Sequence, residues 1–186
     1  GEFLIEKKMG KTTGWIGYTL SWTNRQFDSI NFGVAYPYRY DRRHDIGIAL
    51  THEINDNINI GVVWVYGTGN AVTLGLESYS SFNTSLVDDI YNFSLNNNFG
   101  NNISTVDHIE GRNNYRMPND HRLDISINMK KEKKWGERTW SFGLYNAYSR
   151  QNPFYLEFTR NNNGNPQLSQ FSLFPLIPSF TYSFKF

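Results

Sequence analysis

The 186-residue sequence contains no cysteine, which excludes disulfide cross-links and thiolate metal sites. It has no run of about 20 apolar residues, which excludes membrane-spanning helices. The formal net charge is only +1, so no basic excess indicates a nucleic-acid partner. Residues 1–11 lack the long apolar stretch of a secretory signal peptide, and we expect any export signal to lie upstream.

Aromatic residues, by contrast, are abundant in a chain that is polar on average. Trp, Tyr and Phe make up 17% of the residues, while the mean hydropathy is −0.57. The apolar residues recur at every second position, which is the period of a β-strand with one apolar and one polar face. This alternation predicts an all-β protein with seven strands, at residues 2–8, 12–25, 43–54, 57–69, 121–131, 138–160 and 168–186.

Three features favour a transmembrane antiparallel β-barrel over a soluble sandwich. The polar face carries Asn, Ser, Thr, Gly and Asp, which suit a wet interior. Short connections, near residues 9–10, 55–56 and 130–138, alternate with long ones, near 26–42, 70–119 and 161–167. Rings cluster near the predicted strand ends, as in the aromatic girdles of outer-membrane barrels; they are Trp15, Trp22, Trp64, Tyr66, Trp135 and Trp140.

Seven strands are an odd number, whereas single-chain bacterial barrels have an even number of eight or more. An open seven-stranded sheet would also leave unpaired backbone groups at both edges in lipid. We therefore expect residues 1–186 to be the C-terminal portion of a larger barrel. If the last strand ends in the periplasm, every short turn is periplasmic and every long connection is extracellular.

Six blocks of the sequence carry a resemblance to a known family. In order they are GEFLIEKKMGKTTGWIGYTLSWT, FGVAYPYRYDRRHDIGIAL, WVYGTGNAVTL, NNYRMPNDHRLDISIN, SFGLYNAYSRQNPFYLEF and SLFPLIPSFTYSFKF. Together they resemble TonB-dependent outer-membrane receptors, and most of all the starch-utilisation-type importers and their relatives with a carboxypeptidase-like N-terminal extension. The resemblance covers nearly the whole chain except residues 77–111. It implies the last seven of 22 strands, with the plug domain and the earlier strands absent from this chain.

The resemblance also implies a function. Such a receptor lies in the bacterial outer membrane and uses the inner-membrane proton-motive force to import a scarce solute: a glycan, a peptide or a siderophore. The implied partners are outer-membrane lipid, the plug and the rest of the barrel, the TonB complex, a surface lipoprotein and the barrel-assembly machinery. The alternative is a receptor-like barrel that serves as a structural scaffold in a larger outer-membrane complex.

Two sets of aromatic residues are candidate functional residues. The C-terminal rings alternate along the closing strand and resemble the signal read by the barrel-assembly machinery; they are Phe180, Tyr182, Phe184 and Phe186. The rings of the long connection at 70–119 offer flat faces for sugars or for a lipoprotein partner; they are Tyr79, Phe82, Tyr91, Phe93 and Phe99.

No catalytic, metal or cofactor site is predicted. The segment YRYDRRHD at 38–45 gathers acidic, basic and His residues, but alternation places Asp45 and Arg43 on one face and His44 and Arg42 on the other. We expect ion pairs there that fix the base of a loop, and the same for DHRLD at 120–124. A hydrolase triad using Ser149 or Ser169 with His121 can be drawn, but no spacing places a base beside a nucleophile.

Overall fold

The computed structural model describes residues 1–75, 77–82, 103–163 and 165–186. These residues are 63% strand, and none of them forms an α-helix. A single 3-10 turn, Asn31–Gly33, interrupts the first long connection. In the described segments, no helix is long and apolar enough to cross a membrane.

The described residues form fifteen strands. In chain order they are β1 (Glu2–Lys7), β2 (Thr12–Leu20), β3 (Asn24–Arg25), β4 (Tyr36–Pro37), β5 (His44–Asn55), β6 (Ile58–Gly67), β7 (Ala71–Val72), β8 (Glu77–Phe82), β9 (Ile103–His108), β10 (Tyr115–Arg116), β11 (Asp120–Lys133), β12 (Gly136–Tyr145), β13 (Pro153–Arg160), β14 (Pro166–Ser172) and β15 (Ile177–Lys185).

Seven of these strands form one large antiparallel sheet in the order β1-β2-β5-β6-β11-β12-β15. Each strand pairs with the next sheet strand along the chain, so the sheet is a simple up-and-down meander. The other eight strands form two-stranded pairs within the connections: β3 with β4, β7 with β10, β8 with β9 and β13 with β14. The described residues close no barrel, because β1 and β15 lie at opposite edges of the sheet.

The register places residues of like character side by side across the whole sheet. Ile16 lies opposite Ile5 and Ile48, and Ile127 lies opposite Ile60 and Phe142. Since neighbouring side chains on a strand point to opposite faces, this register sorts the residues into two surfaces. We call the first the apolar face; it comprises Phe3, Ile5, Ile16, Tyr18, Ile46, Ile48, Leu50, Ile60, Val62, Trp64, Tyr66, Leu123, Ile125, Ile127, Met129, Trp140, Phe142, Leu144, Phe180, Tyr182 and Phe184.

The opposite surface, which we call the polar face, carries mainly small and hydrophilic residues, together with Leu4, Val63 and Val65. It includes Thr19, Asp45, Gly47, Thr51, Asn59, Gly61, Asp124, Ser126, Asn128, Ser141, Gly143, Ser179, Thr181 and Ser183. Trp15 also lies on this face, and its ring would come within 2.9 Å of a Cβ placed on Gly47. The prediction that Trp15 joins a girdle on the apolar face is therefore wrong: the missing side chain at Gly47 leaves room for its indole on the polar face.

The two ends of the sheet differ. The connections 8–11, 56–57 and 134–135 are short and lie at one end, which we call the turn end, together with Phe186. The connections 21–43, 68–119 and 146–176 are long and lie at the other end. Gly136 begins β12 at the turn end with φ of +146°, and a Cβ there would lie 2.1 Å from the carbonyl oxygen of Lys185. Only glycine fits this close approach between the turn and β15.

The long connections are more structured than the sequence predicts. The predicted strand 138–160 is broken into β12 and β13, and the predicted strand 168–186 into β14 and β15. The break follows Tyr145, because Asn146 adopts a left-handed φ of +52° and its buried side chain bonds the backbone of the connection. The predicted turn at 130–138 is also too long, since β11 continues to Lys133 and the turn is 134–135.

Few apolar side chains are buried in the described chain. The buried hydrophobic residues are Tyr36, Ala71 and Met117, and all three lie in the long connections. In the centre of the sheet, Ile16 and Phe142 on the apolar face remain 43% exposed. On the polar face, Trp15 and Val63 are 43% and 39% exposed. The sheet therefore leaves both faces uncovered.

Candidate functional site

The long connections fold into a cap at one end of the sheet. We call it the loop cap and define it as residues 21–43, 68–75 and 109–119. The β3–β4 ladder and the hydrogen bond from the amide of Tyr38 to the carbonyl of Thr23, at 2.9 Å, fold the first segment on itself. The β7–β10 ladder joins the second segment to the third, and the amide of Ala71 joins the second segment to the first by donating to the carbonyl of Arg39 at 3.0 Å.

A buried carboxylate lies at the centre of the loop cap. Asp41 is 1% exposed and accepts a hydrogen bond from the guanidinium of Arg116 at 2.6 Å. It also accepts from the backbone amide of Thr23 at 2.6 Å, and Arg43 lies 3.8 Å away. The same Arg116 donates to the carbonyls of Asp41 and Gly69. Because the carboxylate of Asp41 is almost fully buried, whereas the Arg116 side chain is 32% exposed, removing Arg116 would leave a buried charge with one donor fewer, which is costly.

This arrangement explains part of the charged segment at 38–45. Ion pairs form there as predicted, with Asp41 on Arg116 and Arg42 on Asp45 at 3.4 Å. The predicted separation of Arg42 from Asp45 is wrong, because Arg42 precedes β5 and is not bound by strand alternation. Its guanidinium occupies the space that a Cβ on Gly67 would need. His44 does lie on the opposite face from Asp45, as predicted.

The second charged segment, DHRLD, fixes the next long connection. Arg122 donates to Asp124 at 3.0 Å and to the hydroxyl of Tyr145 at 2.8 Å, so the predicted ion pair is present. Asp124 in turn accepts from the backbone amide of Asn146 at 2.9 Å. The side chain of Asn146 donates to the carbonyls of Arg150 and Phe174. The start and the end of connection 146–176 are thereby held on the last polar residues of the sheet.

A row of rings crosses the apolar face just below the loop cap. Tyr18 hydrogen-bonds the Nδ1 atom of His44 at 2.9 Å, and Tyr148 hydrogen-bonds Nδ1 of His121 at 2.7 Å. Tyr66 stacks on His121 with ring centroids 6.5 Å apart. Rings with an apolar body and a polar tip are typical of a membrane–water interface.

A second group of rings lies towards the turn end. Trp140 contacts Phe180 and Tyr182 with centroids 5.4 and 4.6 Å apart, and Phe184 contacts Phe186 at 5.8 Å. The predicted girdle residues are thus divided: Trp64, Tyr66 and Trp140 lie on the apolar face, and Trp135 lies in a turn, 85% exposed. Trp22 lies in the connection 21–43 shortly after β2, with the guanidinium of Arg43 4.8 Å from its ring centroid, and its place in a girdle stays a prediction.

The loop cap contains a half-open cavity of about 370 Å³. Three arginines line it: Arg25 and Arg39 come from segment 21–43, and Arg112 comes from segment 109–119. Two tyrosine rings complete the wall, and both lie beneath a guanidinium: Arg25 is 3.7 Å from the centroid of Tyr38, and Arg112 is 5.6 Å from that of Tyr36. We call this the arginine cavity.

The arginine cavity was not predicted from the sequence. Its residues come from distant parts of the chain, and they are joined by bonds such as Asn113 Nδ2 to the carbonyl of Pro37 at 2.7 Å. The only signal available was the density of Tyr and Arg in YPYRYDRR at 36–43.

The predicted C-terminal rings occupy an edge of the sheet. Phe180, Tyr182 and Phe184 lie on the apolar face of β15, and they are 56%, 49% and 43% exposed. Phe186 follows the strand and is 97% exposed. In the described sheet, β15 pairs on one side only, with β12. The assembly role of these residues stays a prediction.

The predicted ring cluster of the long connection is only partly described. Tyr79 lies in β8 and is 55% exposed, and Phe82 ends the same strand. Tyr91, Phe93 and Phe99 lie outside the described residues. The binding role of these rings stays a prediction.

Among the described residues, no geometry supports a hydrolase triad that uses Ser149 or Ser169 with His121. His121 bonds Tyr148, and the hydroxyl of Ser169 bonds that of Thr159 at 2.6 Å. Ser149 lies in the tight loop closed by Asn146, to whose carbonyl its amide donates at 2.7 Å. Among all the residues that the structure describes, no three His, Cys, Asp or Glu side chains are grouped so that they could hold a metal ion.

No protein-family model matches the chain, and neither does any curated protein or solved structure. The resemblance of the sequence blocks to TonB-dependent receptors therefore remains a prediction.

Proposed function

We propose that the chain is the C-terminal part of the barrel of a TonB-dependent outer-membrane receptor, and that it takes part in the import of a scarce solute. The plug, the earlier strands and the coupling to the TonB complex belong to other parts of that receptor. The solute classes to consider are glycans, peptides and siderophores, as the sequence resemblance implies.

The observation that carries the proposal is the uncovered apolar face. It runs without a break over seven strands, and no other element of the described chain packs on it. Soluble monomers rarely expose one apolar patch larger than a few hundred square ångströms. A hydrocarbon environment accounts for such a face, and the polar face then borders the interior of the barrel. From His121 to Met129 the strand also has the roughly nine-residue length needed to cross the bilayer core at a tilt.

The asymmetry of the two ends supports the same proposal. Bacterial barrels have short periplasmic turns and long extracellular loops. Here the turn end would face the periplasm and the loop cap the outside, with one row of rings near each interface. The two open edges, at β1 and β15, would pair with further strands of the same barrel, since unpaired backbone is not tolerated in lipid.

The loop cap would then meet solutes before they enter the barrel. Its segments are fixed by the buried pair of Asp41 and Arg116, so its cavity is preformed. Preformed sites lose less conformational entropy on binding than flexible loops do.

The proposal is tested by uptake in cells that express the full-length protein. A panel of labelled glycans, peptides and siderophores is supplied, with and without a functional TonB complex. We expect one class to enter only when both the receptor and TonB are present, and a protonophore to abolish its entry. The alternative, a structural scaffold, would be favoured by two results together. Uptake would not depend on TonB, and deletion of the protein would cause the loss of a larger outer-membrane complex.

A further inference from the structure

The arginine cavity carries more positive charge than the loop cap needs for its own stability. The stabilising ion pairs of the cap use Arg42, Arg43 and Arg116. Among the described residues, no carboxylate lies within ion-pair distance of Arg25, Arg39 or Arg112, and no Asp or Glu lines the cavity. The carboxylate of Asp41 is nearby in sequence, but it is buried and bound to Arg116.

We propose that the arginine cavity binds the anionic group of a small ligand: a carboxylate, sulfate or phosphate, free or carried on a sugar ring. The guanidinium group is a rigid fork of donors that matches such anions in a bidentate manner. Three of them around one cavity create a local positive potential that attracts anions. The inference names the ligand class of the proposed importer and rests on that function for its physiological meaning, although binding can be measured without it.

The geometry of the cavity suits an organic anion as well as an inorganic one. Its volume of about 370 Å³ lies within the range of small-ligand pockets, about 300–1,000 Å³. Tyr36 is 6% exposed and fixed, so its ring supplies a wall of defined position. Tyr38 is only half-buried, so it can offer apolar ring surface to the organic part of a ligand.

The walls of the cavity are held by hydrogen bonds that do not involve the three arginine heads. Asn113 donates to the carbonyl of Pro37, and its backbone amide donates to the hydroxyl of Thr73 at 2.9 Å. The amide of Arg112 donates to the side chain of Asn31 at 2.8 Å. The guanidinium groups can therefore be changed without removing the bonds that join the segments.

The test is a calorimetric titration of the purified full-length protein at low ionic strength. The probes are glucuronate, glucose and inorganic phosphate, since glucuronate differs from glucose only by its carboxylate. We expect glucuronate to bind at least about tenfold more tightly than glucose, and added salt to weaken it. Competition between phosphate and glucuronate would indicate that both anions bind at the same site. Equal affinities for glucuronate and glucose, or no binding of either anion, would overturn the inference.

Variants locate the site. Arg39→Gln and Arg112→Gln should each weaken glucuronate binding by about tenfold or more, because each removes a charge-assisted bond. Arg39→Lys should retain part of the affinity for glucuronate, since lysine keeps the positive charge but lacks the planar, bidentate donor group of the guanidinium. Lys134→Gln is the matched control, as it removes one positive charge in an exposed turn at the other end of the sheet. Arginine variants that behave like Lys134→Gln, with unchanged thermal unfolding, would contradict the assignment.

Failure of this inference is distinguishable from failure of the proposed function. Binding is measured on purified protein, without a membrane potential or TonB. Anion binding with no TonB-dependent uptake would contradict the proposed import function and support the anion site. TonB-dependent uptake of a neutral solute, with no anion binding, would contradict the anion site and support the proposed import function.

Discussion

Two adjacent valines on β6 allow a sharp test of which face of the sheet meets lipid. Val62 lies on the apolar face, opposite Leu50 and Ile125. Val63 lies on the polar face, opposite Ala49 and Asp124. Both stand at the middle of the strand, so Val62→Arg and Val63→Arg make the same chemical change at nearly the same depth.

The expected effects differ because the environments differ. An arginine on the lipid face near the bilayer midplane lowers the free energy of unfolding by about 2–4 kcal/mol. At position 63 the new guanidinium enters a wet interior beside Asp124, and we expect a loss of about 1 kcal/mol or less. The difference of at least about 1–3 kcal/mol corresponds to roughly a five- to hundredfold change in the folded-to-unfolded ratio.

The assay is denaturant unfolding of the full-length protein in phospholipid vesicles, with the midpoint and slope compared between variants. Levels of each variant in the outer membrane provide a second measure. Equal midpoints for the two variants would refute the lipid assignment, because two water-exposed valines on one strand should respond alike. A larger loss at Val63 would reverse the assignment of the faces.

Three further predictions concern the cap, the terminus and the turn. Asp41→Ala should destabilise the loop cap by roughly 1–3 kcal/mol, seen as faster proteolysis of connection 21–43, since Arg116 keeps only carbonyl acceptors and the amide of Thr23 loses its acceptor. The control Asp45→Ala breaks an exposed pair and should cost at most about 1 kcal/mol; equal proteolysis would argue against the buried pair as the main tie. Deletion of Phe186 should lower the outer-membrane level of the full-length protein, and undiminished insertion would count against an assembly signal. Gly136→Ala should cost about 1–3 kcal/mol, because its Cβ meets the Lys185 carbonyl at a positive φ; unchanged thermal unfolding would contradict that reasoning.

The sheet was predictable because its pattern is local. In β11, apolar and polar residues alternate strictly from Leu123 to Lys130, and a one-residue shift of register would mix the two faces. The seven main strands were therefore located correctly to within a few residues in most cases. The prediction that they belong to a larger closed barrel goes beyond the described sheet and is part of the proposed function.

The errors arose where tertiary contacts override the local pattern. Trp140, Phe142 and Leu144 alternate with polar or small residues, but no Gly, Pro or charge run marks an end directly after Tyr145, so 138–160 was predicted as one strand. The break comes from Asn146, whose side chain bonds the carbonyl of Phe174, far away along the chain. Trp15 was misplaced for a similar reason, because the space it fills depends on Gly47 of the neighbouring strand.

The arginine cavity could not be predicted because loops have no period. Arg25, Arg39 and Arg112 are brought together by the β3–β4 and β7–β10 ladders and by the bonds of Asn113. Each ladder has only two residue pairs, which is too short to leave a pattern in the sequence. The buried pair of Asp41 and Arg116 was equally hidden, although ion pairing at the base of the loop was expected from composition.

Cysteine accessibility in intact cells tests the central claim most directly. The chain contains no cysteine, so one introduced residue reports a single position. Asn162→Cys places it at the exposed tip of the β13–β14 hairpin, and Asp56→Cys places it in an exposed turn at the other end of the sheet. We predict that a membrane-impermeant maleimide labels Asn162→Cys in intact cells and labels Asp56→Cys only after the outer membrane is permeabilised. Equal labelling of both positions in intact cells, or of neither until the inner membrane is broken, would contradict an outer-membrane barrel with its long connections outside.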